Sequence, residues 1–169
     1  MDLETLYQEL SNSTEMIRTL LAGIDQEQAQ VRPDVKSWSI LEVTCHLRDE
    51  EQADFRARLD SILNRPEEEF AVIDPQGWIT ERKYNEQDFK KAQEVFFTER
   101  EKSLEWLRSL SAANWDASHT DQYGTCTAGE MFASWVAHDN LHIRQLVELR
   151  RARIERITKP YPIEYAGEW

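Results

Sequence analysis

His138 and His142 stand four residues apart in the stretch 137–145, AHDNLHIRQ. In a helix that spacing puts both imidazoles on one face, one turn apart. The residues that share the face are apolar. At about 100° per residue, Met131, Trp135, Leu146 and Leu149 fall within roughly 80° of His138. Such a stripe has to pack against other helices, so this chain must bury two imidazoles side by side. A shared metal ion is the most economical reason to do so, and a third ligand must then come from elsewhere in the chain.

The rest of the chain supplies the helices that this stripe needs. With 5 Gly and 5 Pro in 169 residues, punctuation is sparse and long helices are expected. Leu3, Leu6, Leu10, Ile17, Leu20, Leu21 and Ile24 recur at helical spacing and predict a first helix over about 3–24. Ser39 and Glu42 form an S-x-x-E capping box, with Trp38 and Val43 placed as a hydrophobic staple, and open a second helix over about 39–64 that Pro66 ends. Asn85 is placed to cap a third helix over about 85–110, and Thr127 with Glu130 forms a second capping box that starts a fourth over about 127–153. Arg150, Arg151 and Arg153 suit the C-terminus of that last helix.

Between the second and third helices lie about twenty residues with Pro66, Pro75 and Gly77, longer than a turn between antiparallel neighbours needs. They predict a crossover that runs the length of a bundle, pinned by Phe70, Ile73 and Trp78. The expected fold is all-α, a four-helix bundle running up, down, long return, down, up. Residues 1–169 are expected to form a single domain. Residues 111–126 are expected to be a polar loop with His119 solvated in it, and the tail 159–169 an extended segment across the bundle.

His46 is the other histidine on a long helix. It lies about 12 Å into the second helix, and His142 lies on the order of 15 Å from the end of the fourth, at 1.5 Å per residue. If those two helices are antiparallel, His46, His138 and His142 fall at similar depth. The pair is not HExxH, since Asp139 follows His138 and points about 100° away, so a metalloprotease with its base inside the motif is not supported. Glu42, Asp49 and Glu50 flank His46 as candidate acceptors for its ring, although capping already explains Glu42 and a solvated helix face would explain the other two. Gln145 is a candidate for lining the site. Cys45 and Trp135 are expected in the core.

These residues carry a resemblance. KSWSILEVTCHLRDEE resembles the second-helix signature of the DinB/YfiT-like superfamily, and HDNLHIRQL resembles its last-helix signature, over a span of about 1–155. The resemblance implies a metal-binding four-helix bundle, often a homodimer. It implies one divalent transition-metal ion, zinc or nickel, held by His46, His138 and His142. Relatives include S-transferases and isomerases that use low-molecular-weight thiols such as mycothiol and bacillithiol, and others assigned only as metal-dependent hydrolases. Asn140, between the two histidines, departs from the acidic or all-histidine pattern but should face away from the metal.

The formal net charge of −12 argues against nucleic acid as a partner, because a phosphate backbone calls for a basic face. No basic start is followed by an apolar run, and no stretch approaches about 18 apolar residues, so no membrane association and a cytoplasmic location are expected. Cys45 and Cys126 form no CxxC and are expected as free thiols. Two readings go forward. One is a metal-dependent enzyme that activates a thiol or water against a small electrophilic substrate. The other is a stress-related scaffold that turns nothing over and holds a structural ion or none.

Overall fold

The computed structural model describes residues 2–122 and 124–169. Its helices are α1 (Leu3–Leu21), α2 (Gln26–Ala29), α3 (Ile40–Ala53), α4 (Phe55–Asn64), α5 (Pro75–Glu81), α6 (Phe89–Ser109) and α7 (Ala128–Ile157). The long rods α1, α3 with α4, α6 and α7 form the expected all-α bundle. α3 packs chiefly on α6 and α1 on α7. Directions follow from cross-helix pairs. Ser39 meets Asn85 and Arg56 meets Glu99, so α3–α4 and α6 run parallel. Trp38 meets His142 and Phe55 meets Trp135, so α3–α4 and α7 run antiparallel.

Both capping boxes form. Ser39 Oγ accepts the Glu42 N–H while Glu42 accepts the Ser39 N–H, and Thr127 and Glu130 do the same at α7. The boundaries differ from the sequence expectation in four places. The second helix is broken at Asp54 (φ −118°, ψ −92°), with no proline or glycine to mark the break; Asp54 pairs with Arg58 at 2.5 Å. The third helix is capped by Asp88, whose carboxylate accepts the Lys91 N–H. Asn85 instead tethers the crossover, donating to the Gln30 carbonyl and accepting from the Ser39 hydroxyl. α1 ends at Leu21, before Gly23 at φ +72°. α7 runs on to Ile157 and stops three residues before Pro160.

The crossover is partly helical, through α5 and a 3-10 turn at Tyr84–Glu86. The expected polar loop contains a two-stranded antiparallel hairpin, β1 (Ser118–Asp121) on β2 (Gly124–Thr127). That hairpin overturns the solvated reading of His119. Its ring is buried, stacks on Phe70 at 4.0 Å and places Nδ1 2.9 Å from the Pro66 carbonyl oxygen. The tail does not cross the bundle as an extended segment. It turns through Glu164–Ala166 and brings Trp169 under the Arg151 guanidinium, leaving Tyr161 and Tyr165 exposed. No helix among the described residues is long and apolar enough to cross a membrane.

The core has two apolar clusters. One is built around Ile17, Leu41, Leu47, Phe96 and Leu146, the other around Leu10, Leu59, Ile62, Phe132 and Trp135. Every long rod crosses from one to the other, and each leaves a polar residue at the crossing: Thr14 on α1, Glu51 on α3, Arg100 on α6 and Asp139 on α7. This buried charged waist sits at the depth of the histidines.

Candidate metal centre

α3 and α7 carry the site. Antiparallel packing brings His46 opposite the His138–His142 turn, and the three Nε2 atoms converge. His46 Nε2 is 3.4 Å from His138 Nε2, which is 3.1 Å from His142 Nε2. The ligand-competent nitrogens all lie within 4.8 Å of one another. His46 is buried, while His138 and His142 are half-buried and reach a cleft of about 650 Å³ lined by Trp38, Glu50, Phe55, Leu141 and Gln145. Met131, Trp135, Leu146 and Leu149 are all buried, as the apolar stripe requires.

The rings are oriented from outside. Gln145 Oε1 lies 2.8 Å from His142 Nδ1, and a carbonyl oxygen can only accept, so Nδ1 carries the proton and Nε2 turns its lone pair inward. His46 Nδ1 is buried without a hydrogen-bond partner, and so is Glu50 Oε1, 3.9 Å away. That gap is too long for a hydrogen bond. It is not an ion pair either, because both groups are neutral. Burial, followed by His142, pushes the His46 imidazole down to about 3. Burial, followed by the nearby Asp54 carboxyl, pushes Glu50 well above the usual carboxyl range. Burial, His142, His46 and Arg100 lower His138 to about 3, and burial lowers His142 against the pull of Gln145.

Three neutral imidazoles with converging Nε2 atoms are short of a positive centre. One N–H can bridge only one of the two gaps. A tetrahedral ion with Zn–N bonds near 2.05 Å needs its nitrogens about 3.3 Å apart, which the 3.1 and 3.4 Å separations match. The donor set therefore fits one divalent transition ion bound by imidazole.

Of the flanking acids, Glu50 alone lines the cleft. Glu42 is consumed by the capping box and an ion pair with Arg32, and Asp49 turns to Arg48, Arg82 and Tyr84. None of the three has a solvated face; all are buried. Cys45 is fully buried with its thiol pushed up to about 12, chiefly by burial, and Trp135 is fully buried, so both belong to the core. Trp38 and Phe55 are further site residues. Trp38 stacks on His142 at 6.2 Å and stands edge-on to His46 at 5.0 Å, and Phe55 lies 4.9 Å from His138. Trp38 reads as a helix staple, and the break that swings Phe55 inward has no residue signal.

A parallel-crossover bundle with three imidazoles at its waist defines a class of metal-competent helical bundles. The DinB superfamily sequence model matches residues 9–146, and the chain belongs to that superfamily. Among solved structures it is similar to YfiT from Bacillus subtilis, described as a probable metal-dependent hydrolase with an unusual four-helix bundle topology. The two share 17% identity and a TM-score of 0.77 over 88% of this chain and 86% of that one, a likeness of fold. No curated protein matches the sequence.

Proposed function

We propose that His46, His138 and His142 bind one divalent transition-metal ion, zinc or nickel, and that the protein is a metal-dependent enzyme acting on a small electrophilic substrate. The observation that carries this reading is the convergence of three neutral Nε2 atoms on a half-open cleft. Three protein ligands leave coordination positions free, the pattern of catalytic rather than structural sites. The bound ion would supply Lewis acidity that favours the deprotonated form of a thiol or water nucleophile.

The chain's own residues do the rest. Gln145 holds the His142 tautomer that leaves Nε2 free. Trp38 and Phe55 wall the cleft with aromatic faces and limit its water. Glu50, which lines the cleft, stands as a proton carrier for the substrate. The description of YfiT favours a hydrolase. The resemblance noted from sequence favours a low-molecular-weight thiol such as bacillithiol or mycothiol as co-substrate.

Elemental analysis of protein purified without a histidine tag is expected to find about one transition metal per chain. Unchanged metal content in His46→Ala and His138→Ala would sink the site. Screening bacillithiol, mycothiol and glutathione against a generic electrophile, beside an ester substrate in water, separates transferase from hydrolase.

A further inference from the structure

Along α7 one face carries His138, His142, Gln145, Leu149, Ala152, Arg153 and Arg156, each three or four residues from a neighbour on that face. It runs past three adjoining hollows. The cleft at the imidazoles shares Trp38, Gln145 and Glu148 with a second hollow, and the second shares Pro33, Leu149 and Ala152 with a third. The distance from His142 to Arg153 is about 16 Å at 1.5 Å per residue.

The third hollow is a basin of about 320 Å³. Val31, Ile40 and Leu149 contribute apolar surface, and Arg32, Arg153, Arg156 and Lys159 contribute four cations against one acid, Glu155. Glu155 is engaged by Arg151 at 2.9 Å and Arg32 by Glu42. Among the described residues, Arg153, Arg156 and Lys159 form no ion pair. Arg153 Nε is also out of contact with solvent and without a hydrogen-bond partner. A buried donor left unpaired is costly. The dipole of α7 accounts for a cation in its last turn, but not for a concave cluster that also draws Arg32 from before α3 and Lys159 from beyond α7. In a chain of net charge −12 this is a local reversal of sign. Guanidinium groups around an apolar floor are the chemistry that recognises an organic carboxylate or phosphate.

We propose that this basin is an anion-binding subsite, holding the carboxylate or phosphate group of an elongated ligand whose other end reaches the imidazoles. The part about the imidazoles rests on the metal-centre reading; the anion site does not. The substrate class narrows to molecules on the order of 15 Å long with an anionic end remote from the reacting atom.

The test titrates metal-free wild-type protein with inorganic phosphate and, separately, with succinate, by calorimetry. One saturable site is expected for at least one of the two anions, and which of them binds tells phosphate from carboxylate. Arg153→Gln/Arg156→Gln should weaken it at least about tenfold, the loss of charge-assisted bonds. Lys159→Gln, on an exposed side chain, should weaken it by a smaller factor with no risk to the fold. Lys102→Gln, a cation elsewhere, and His142→Ala should bind as the parent does. No saturable binding of either anion, or equal affinity in the arginine variant, overturns the subsite. Loss in His142→Ala alone also overturns it, by placing the anion at the imidazoles. Anion binding at the basin in a protein that takes up no metal would leave the subsite standing and remove the metal centre.

Discussion

Arg100 and Asp139 meet as a buried two-pronged ion pair one residue beyond His138, Nη1 to Oδ2 at 2.6 Å and Nη2 to Oδ1 at 2.9 Å. Glu51 approaches the same guanidinium at 2.8 Å, and the Thr14 hydroxyl oxygen accepts from Nη1 at 3.3 Å. One residue from each rod thus meets at the waist, and α7 is fixed in rotation where its next side chain is a histidine of the site. Arg100→Met would leave two carboxylates buried without a counter-charge and is expected to cost on the order of 3–5 kcal/mol. Asp139→Ala leaves Glu51 to neutralise the guanidinium and is expected to cost less, roughly 2 kcal/mol. Urea unfolding of both variants checks the ranking. Equal, small losses would show that the waist does not hold the bundle together.

The Gln145 contact to His142 Nδ1 predicts an effect on metal affinity without a ligand being touched. Gln145→Leu keeps the volume of a half-buried position but frees the ring to flip. Affinity for zinc, measured by competition with a chromophoric chelator, is expected to fall roughly 10–100-fold. Gln145→Glu supplies an acceptor again and should recover most of it. Wild-type affinity in the leucine variant would assign the orientation of the ring to Trp38 stacking instead.

Asp49 predicts a pH dependence away from the site. Burial alone would raise its carboxyl, but hydrogen bonds from Arg48, Tyr84 and Arg82 outweigh that and hold it below the usual value. A carboxyl lowered in the folded state contributes stability above its unfolded pKa of about 3.9 and loses it as pH falls through the folded value. Asp49→Asn should therefore be more destabilising at pH 7 than at pH 3. Chemical unfolding at the two pH values reads the difference directly. A penalty independent of pH would mean that packing, not charge, ties α3 to the crossover.

What the sequence made legible follows from which forces are local. Capping boxes and apolar periodicity depend on neighbours three or four residues apart, so the long rods and the His138–His142 face can be read directly. The third histidine is legible because a long crossover permits antiparallel packing and His46 lies at the matching depth. The hairpin that buries His119 and the turn of Asn85 toward Gln30 and Ser39 depend on partners far along the chain, and the break at Asp54 comes with no proline or glycine. No residue pattern announces them. Asp49 and Glu50 read as a solvated acidic face for the same reason: Arg82 and Tyr84, and the site itself, lie on that side in space.

Ser39 and Thr127 separate local from distant contributions in a single comparison. Each caps its helix through the same reciprocal bonds. Ser39 is fully buried, and its hydroxyl also donates to Asn85 Oδ1 at 2.6 Å, whereas the Thr127 side chain is bonded within its own capping turn. Loss of a cap alone costs about 1 kcal/mol, so that is the expectation for Thr127→Ala. Ser39→Ala also leaves Asn85 Oδ1 part-buried and without its donor, which adds on the order of another 1 kcal/mol. Because Ser39 starts the helix that carries His46, the loss should reach the site, as a weaker metal affinity than in Thr127→Ala. Equal stability losses with equal metal affinities would reduce Ser39 to a helix cap and leave the crossover to be held by Asp49 and Asn85's bond to Gln30.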